Sequence, residues 1–175
     1  MLLLVDLINP LQFDGAARLA PAALRAAAAV AALQRDARRQ GVPSIYVNDN
    51  FGRWHADFRQ LVGHCRRRPG AAASLARLLA PRPQDLTVLK PRHSAFHATP
   101  LMLLLQRMRT RRLVIAGLAT DLCVQFTAMD AFMLGFGLWV PQDCCAAETA
   151  QRHDDALRWM SRALRCHIGP AWPPA

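Results

Sequence analysis

Short apolar runs alternate with longer segments of helical pattern along the chain, and this alternation constrains the fold more than any other feature. Short continuous apolar runs are typical of strands that are buried on both faces of a parallel sheet. Six such strands joined by helical crossovers predict a parallel sheet with helices covering both of its faces. The predicted strands are 1–6, 44–47, 86–90, 113–116, 136–140 and 164–168, and the predicted helices are 21–40, 71–79, 99–109, 117–132 and 148–163.

The connections between these elements are set by proline and glycine. Pro21 suits the first turn of a helix and Gly41 suits the position just after its end. Residues 51–70 carry several glycines and a proline, and they are predicted to form a long irregular loop of the kind that is often functional. The Pro-rich tail, 169–175, is also predicted to be irregular.

Length and composition limit the class of protein. The 175 residues suit a single domain, here 1–175, with a full-sized core. No apolar run reaches the roughly 18 residues of a membrane span, and the apolar start lacks the basic segment of a signal peptide. The five cysteines are odd in number and have no zinc or redox spacing, which favours reduced thiols and a cytoplasmic location.

The formal net charge is +10, which makes nucleic acid binding a rival function. The arginines are scattered along predicted helices without a nucleic acid motif, so solvated arginine faces are favoured instead. Lys90 is the only lysine among the 22 cationic residues, and it lies at the end of a predicted strand. Chance explains one surviving lysine, but α/β proteins build their sites at strand ends, so Lys90 is a functional candidate.

Two further candidates lie at strand ends. Asp6 closes the first apolar run, and Cys123 follows the fourth run where a helix begins. Unpaired N–H groups and the helix dipole at such a boundary favour a thiolate, although a buried structural cysteine fits the same position. A carboxylate, an ammonium and a thiol from three strand ends make a sensible set of base, cation and nucleophile.

The residues around these three positions resemble the isochorismatase-like cysteine hydrolases. The match extends over nearly the whole chain in the expected order. Its pieces are Val5–Asn9, Tyr46–Trp54, Lys90 with His93–Leu101, Gly117–Ala131 and Pro141–Glu148. The resemblance implies a doubly wound, three-layer α/β/α fold with a six-stranded, mainly parallel sheet.

The resemblance also implies a mechanism. Asp6 would take the thiol proton, Lys90 would stabilise the thiolate, and Cys123 would attack a carbonyl carbon to form a thioester. A non-proline cis peptide bond is expected between Leu118 and Ala119. The N–H groups of Ala119 and Cys123 would form an oxyanion hole.

One departure from related enzymes bears on metal binding. Nicotinamidases of this superfamily bind a divalent metal through an Asp-x-His pattern, whereas this chain reads Asp49-Asn50-Phe51. His55 and His64 do not restore that spacing, so we expect no catalytic metal and no cofactor. Nicotinamidase activity is not expected either.

The family's pockets collect side chains from the matched segments, and its members commonly assemble into homo-oligomers such as dimers or tetramers. We expect the same here, without membrane or nucleic acid partners. For Phe13 and Phe96, an ordinary core position is the alternative, and for His93 and Asn48 it is a loop or capping role. For Trp54, a role at a subunit interface is the alternative to the pocket. The candidate pocket residues are Phe13, Asn48, Trp54, His93, Phe96 and Phe126.

The predicted function is metal-independent hydrolysis of a small amide, ureide, related C–N compound or ester through a thioester on Cys123. Isochorismatases share the scaffold but are not expected to use a cysteine nucleophile, so Cys123 favours the amide-like substrate. Cleavage of isochorismate or another enol ether on the same scaffold is the first alternative. A non-catalytic basic binding or scaffold protein is the second.

Overall fold

The computed structural model describes residues 1–54 and 57–170, and its described part is an α/β fold with a single sheet of parallel strands. The strands are β1 (Leu2–Val5), β2 (Ser44–Asp49), β3 (Leu86–Lys90), β4 (Arg112–Leu118), β5 (Gly137–Trp139) and β6 (Cys145–Ala146). The helices are α1 (Ala16–Arg39), α2 (Phe58–Arg67), α3 (Ala71–Leu78), α4 (Leu101–Arg107), α5 (Gln125–Met133) and α6 (Ala150–Leu164). A π-helical turn (Thr120–Val124) precedes α5, and a 3-10 turn (Gln142–Cys144) precedes β6.

The strand order creates a switch point beside β1. The order is β3-β2-β1-β4-β5, and β6 pairs with the carboxyl-terminal end of β4. The chain therefore grows outward from β1 to β3 and then returns to the other side of β1 to form β4. Ligands of open α/β sheets bind outside the strand carboxyl ends at such a reversal.

Burial on both faces explains the apolar strands. All four residues of β1 are fully buried, and alternate residues point to opposite faces. Leu2 and Leu4 pack with α1, α2 and α3, whereas Leu3 and Val5 pack with α4, α5 and α6. The predicted three-layer architecture with a six-stranded parallel sheet is thus confirmed for the part of the chain that the structure describes.

The first helix is longer than predicted. It begins at Ala16 rather than at residue 21, so the prediction that Pro21 occupies the first turn is wrong. Ala16 and Leu19 are buried against the core, and this packing sustains a turn of helix ahead of the proline. By length and composition alone, α1 also passes as a membrane span. Its buried residues form one stripe, from Ala16 to Ala37, that packs in the core, as a core helix does.

The prediction that 51–70 is irregular throughout is wrong, because α2 forms within it. The Asp57 side chain caps this helix by accepting a hydrogen bond of 2.7 Å from the Gln60 N–H. Phe58, Val62 and Cys65 recur at helical spacing and are buried. This apolar spacing outweighs the glycine at position 63. Residues 55 and 56 and the end of the tail, 171–175, lie outside the described residues.

The sixth strand was predicted in the wrong place. It is the two-residue β6, which continues the line of β5 along the edge of β4. The predicted strand, 164–168, makes one parallel bridge between His167 and Trp139. The reason is that α6 continues through Leu164 and Arg165 then turns the chain with a φ of 51°.

Candidate active site

The carboxyl ends of three neighbouring strands place three charged side chains together. Asp6 follows β1, Asp49 ends β2 and Lys90 ends β3, and their backbones are in parallel register. Because β3 lies two strands from β1, the long Lys90 side chain must reach past the end of β2 to meet Asp6. Its Nζ lies 2.8 Å from Asp6 Oδ2.

Lys90 is fully buried and surrounded by groups that accept hydrogen bonds or carry negative charge. Besides Asp6, its ammonium donates to the Arg92 carbonyl at 3.0 Å and lies 3.8 Å from Asp49 Oδ2. It also lies 3.5 Å from Cys123 Sγ. Burial alone lowers the pKa of Lys90, but the charge and hydrogen bond of Asp6, together with the charges of Cys123 and Asp49, outweigh burial, so the pKa is raised overall. Lys90 is therefore a cation at neutral pH.

Asp6 faces both Lys90 and the thiol. Its backbone has a φ of 50°, a conformation that aspartate tolerates better than most residues, and this bends the chain out of β1. The carboxylate accepts a hydrogen bond of 2.6 Å from the Asp49 N–H. Burial raises the pKa of Asp6, and the opposing effects of Lys90 and of hydrogen bonds from Cys123 and the Asp49 N–H do not cancel this.

Cys123 lies in the π-helical turn rather than at a helix terminus, and it is 9% exposed. Burial and the Asp6 carboxylate raise the pKa of its thiol well above the ordinary value, although Lys90 opposes them. The expectation that this position favours a resting thiolate is therefore wrong. Cys123 rests as a thiol, with the Asp6 carboxylate beside it.

The approach to the π-helical turn requires glycine at position 117. Gly117 has a φ of 146°, and a Cβ there would lie 2.0 Å from the Val5 carbonyl oxygen. The peptide bond between Leu118 and Ala119 is cis. The Ala119 carbonyl then accepts hydrogen bonds from the N–H groups of Leu122 and Val124, at 3.1 and 3.2 Å.

The loop after β3 is fixed to α5 by two residues that sequence reasoning missed. The Ser94 hydroxyl donates to the Asp130 carboxylate, and the Thr127 hydroxyl accepts from the Ala95 N–H at 3.0 Å. This brings His93 Nδ1 to 3.6 Å from Cys123 Sγ. The available signal was the three-residue spacing of Thr127 and Asp130, which places two polar groups on one face of a largely apolar helix.

Asp49, which contacts Asp6 and Lys90, lines a cavity of about 660 Å³ whose described lining does not include Cys123. That volume lies within the range of small-molecule sites. Phe13 and Trp54 both line the cavity, and Trp54 is 76% exposed. Other lining side chains include Asn50, Phe51, Arg53 and Leu61.

The remaining predicted pocket residues lie elsewhere. Asn48 is fully buried and donates to the Ile8 carbonyl at 2.8 Å, so it holds two chain segments together rather than lining the cavity. Phe96 is partly buried and stacks on Phe136 against the core cluster that includes α5. Phe126 packs against the His93 ring, with 5.5 Å between the ring centres, on the Cys123 side of the site.

The described side chains near the cavity do not assemble a divalent metal site. Phe51, an apolar residue, occupies the position of the first histidine of the Asp-x-His pattern, and His64 is the one histidine among the described residues that line the cavity. Within residues 1–54 and 57–170, no three His, Cys, Asp or Glu side chains are grouped closely enough to hold a metal ion. His55, the other histidine weighed against the Asp-x-His pattern, lies outside the described residues.

Comparisons with known proteins agree with this fold. A family model described as the isochorismatase domain matches residues 1–167. The uncharacterised isochorismatase family protein YaaI of Bacillus subtilis is 34% identical over 167 residues, which are 95% of this chain and 91% of that protein. The ureidoacrylate amidohydrolase RutB of Acinetobacter baylyi is 38% identical over 76 residues, which are 43% of this chain and 31% of that protein.

Solved structures of two amide-cleaving enzymes share the fold. The nicotinamidase of Staphylococcus aureus has a TM-score of 0.74 at 21% identity, with 96% of this chain and 95% of that chain covered. The N-carbamoylsarcosine amidase of Thermoplasma acidophilum has a TM-score of 0.73 at 23% identity, with 97% and 94% covered. Because the family model spans almost the whole chain, this protein belongs to the isochorismatase family of hydrolases.

Proposed function

We propose that this chain is a metal-independent cysteine hydrolase of a small amide, ureide or related C–N compound, with ester cleavage as the nearest variant. One observation carries the proposal. A single buried ammonium, that of Lys90, lies 2.8 Å from the Asp6 carboxylate and 3.5 Å from the Cys123 sulfur. A base, a cation and a nucleophile in mutual contact are the groups that acyl transfer requires.

The first half of the reaction transfers the thiol proton and breaks the C–N bond. The Asp6 carboxylate accepts the Cys123 proton as the sulfur attacks the carbonyl carbon. The Lys90 ammonium stabilises the negative charge while it is on the sulfur, and the charge moves to the carbonyl oxygen as the C–S bond forms. Asp6 then returns the proton to the leaving nitrogen, which departs as an amine or ammonia, and an acyl thioester remains on Cys123.

The second half restores the thiol. Asp6 accepts a proton from water, whose oxygen attacks the thioester carbonyl. The C–S bond breaks, the sulfur regains a proton, and the acid is released. In both halves the N–H groups of Ala119 and Cys123 are proposed to bind the carbonyl oxygen as it becomes negative. Loss of one such donor typically lowers the rate by about 10²–10³.

The similar proteins support a C–N substrate. The relative RutB is a ureidoacrylate amidohydrolase, and the two similar structures are a nicotinamidase and an N-carbamoylsarcosine amidase. The cavity combines apolar side chains, such as Phe13 and Leu61, with the Asn50 amide and the Arg53 guanidinium. Such a lining suits a small polar molecule with an apolar portion.

His93 offers a second possible base, since its Nδ1 lies 3.6 Å from Cys123 Sγ. We assign the base to Asp6 because Asp6 also holds the buried Lys90 charge. The two assignments predict different kinetic effects of substitution. Asp6→Asn is expected to abolish turnover, whereas His93→Gln is expected to affect mainly KM.

The decisive experiment is a screen of small amides, ureides, esters and isochorismate with the Cys123→Ala protein as the blank. We expect turnover of a C–N substrate and a substrate-derived acyl mass on Cys123 in intact-mass spectra. Turnover that survives Cys123→Ala would refute the proposal. Hydrolysis of isochorismate without an acyl adduct would favour the enol ether alternative. Tight, steeply salt-dependent nucleic acid binding without turnover would favour the basic binding protein.

A homo-oligomer and a cytoplasmic location are part of the proposal. Leu103 on α4 and Met133 at the end of α5 are large apolar side chains that are mostly exposed. A self-association surface would cover such residues. Sedimentation of the purified protein at several concentrations measures the oligomeric state, and a monomer throughout would contradict this part.

A further inference from the structure

The turn that carries Cys123 is also attached to the first turn of α6, through residues other than Cys123. Thr120 Oγ1 lies 2.8 Å from His153 Nδ1. One residue later, Asp121 Oδ2 accepts from Arg152 Nε at 2.5 Å. Consecutive residues of the turn therefore contact consecutive residues of the helix.

The Thr120 contact is the more buried of the two. Thr120 has no exposed surface, whereas Arg152 is 42% exposed and its ion pair is open to solvent. An exposed ion pair is weakened by salt and by the flexibility of its side chains. A buried hydroxyl, in contrast, must keep its hydrogen-bond partner. The Thr120–His153 contact is thus the one that fixes where the turn lies.

His153 connects three elements. Its ring meets the hydroxyl of Thr120, it hydrogen-bonds the backbone of Gln142 in the 3-10 turn, and its own backbone belongs to α6. Burial lowers the pKa of His153, although Asp154, the Gln142 backbone and Asp121 act in the opposite direction. The ring is therefore neutral at pH 7, so one nitrogen can donate and the other can accept.

Because of where Thr120 lies, this contact affects the geometry of the proposed reacting groups. Thr120 directly follows Ala119 and begins the π-helical turn that contains Cys123. It thus lies between the two backbone N–H groups assigned to the oxyanion hole. A displacement of about 1 Å in such a constellation can cost about 10²-fold in rate.

We infer that His153 is a positioning residue of this hydrolase, which acts through the Thr120 hydroxyl to hold the turn bearing Ala119 and Cys123. The inference rests on the proposed function. His153 itself touches neither the substrate nor the reacting atoms. It sets the geometry in which the sulfur attacks and the carbonyl oxygen is bound.

A matched pair of variants tests this role. Thr120→Val keeps the shape of the side chain and removes the hydroxyl, whereas Thr120→Ser keeps the hydroxyl and removes a methyl group. We expect Thr120→Val to lower kcat about 10–100-fold with KM within about threefold of wild type. Thr120→Ser should stay within about threefold in kcat. Arg158→Ala, an exposed change on the same helix, serves as the control.

Variants of His153 complete the test. His153→Ala should lower kcat as Thr120→Val does, and the double variant should be no slower than either single one, because both remove the same contact. If Thr120→Val does not fold, the His153→Ala result decides. Wild-type kcat in Thr120→Val or His153→Ala would overturn the inference. Equal losses in Thr120→Val and Thr120→Ser, accompanied by equal losses in Tm, would also overturn it, since they would indicate packing alone.

The experiments distinguish a wrong function from a wrong role of His153. If Cys123→Ala retains turnover, the proposed function is wrong. If Cys123 is essential and Thr120→Val has wild-type kcat, the proposed function stands and only the role of His153 is wrong.

Discussion

Asp6→Asn is expected to make Cys123 more reactive toward alkylating agents while abolishing turnover. In the wild-type protein the Asp6 carboxylate is the closest charged partner of the buried Lys90 ammonium, at 2.8 Å. The same carboxylate raises the pKa of the Cys123 thiol. Asparagine has nearly the same shape and can still accept the Asp49 N–H bond, but it carries no charge. In the variant the thiolate becomes the closest replacement partner for the ammonium.

The magnitude follows from the geometry. The substitution removes the repulsion between the Asp6 carboxylate and a thiolate on Cys123, whereas the Lys90 ammonium attracts the thiolate in both proteins. Asp6 Oδ2 and Cys123 Sγ lie 2.8 and 3.5 Å from Lys90 Nζ, so they are at most about 6 Å apart, and unit charges at that distance repel by about 2.6 kcal/mol at an effective dielectric constant of about 20. Since about 1.4 kcal/mol corresponds to a factor of ten, loss of this repulsion would favour the thiolate by roughly two orders of magnitude. Burial of the sulfur still opposes ionisation. We therefore expect the alkylation rate at pH 7 to rise by at least about tenfold.

The assay is the rate of iodoacetamide labelling of Cys123, followed by peptide mass spectrometry between pH 6 and pH 9. The other cysteines are buried and serve as internal references. Asp49→Asn removes the more distant carboxylate, 3.8 Å from Lys90 Nζ, and should produce a smaller increase. Labelling of Asp6→Asn that is no faster than wild type would refute the reasoning, because the carboxylate would then not hold the thiol in its protonated form.

Three further predictions concern charge and backbone. Lys90→Met leaves Asp6 buried without its cation, which should lower the free energy of unfolding by about 3–5 kcal/mol near neutral pH. Because the folded-state pKa of Asp6 is raised, the variant should be more stable in acid and should lose this stability as the pH rises, as thermal melts will show. A variant more stable at pH 8 than at pH 5 would contradict this. For the wild type, kcat/KM should fall on acidification at a pH above the ordinary aspartate pKa, since Asp6 must be ionised to act as a base. An activity constant down to pH 4 would remove Asp6 from that role. Gly117→Ala should lower the free energy of unfolding by more than about 4 kcal/mol, because its Cβ would meet the Val5 carbonyl. Gly135 also has a positive φ, but the space around it is open, so Gly135→Ala should cost only about 1–2 kcal/mol. Urea unfolding measures both costs. Equal costs would show that the close approach is not limiting.

Local sequence patterns predicted most of the elements, the strand ends beside Asp6 and Lys90, and the segment after β4 that carries Cys123. They failed where packing overrides a local signal. Gly63 suggested an irregular segment, yet the buried stripe of Phe58 and Val62 holds α2. Pro21 suggested a helix start, yet buried residues before it extend the helix.

In the candidate site, too, local sequence patterns predicted some features and tertiary packing decided others. The sequence indicated a nucleophile at a strand-to-helix boundary, but the helix dipole argument for a thiolate was wrong. Burial and the Asp6 carboxylate, which comes from a distant strand, determine the protonation state of Cys123 instead. Neither a helical spacing nor a motif indicated that His153 would meet Thr120, because the two residues lie on different elements.

By itself the sequence determined which chemical groups are available and that each lies at an element boundary, since hydrophobic periodicity and turn residues act over a few positions. Only the tertiary structure decided which of those groups meet. The strand order places β3 two strands from β1, so the length of the lysine side chain is what joins Asp6 to Cys123. Distances of this kind depend on sheet register and helix packing. Those are cooperative properties of the whole core that no local window contains.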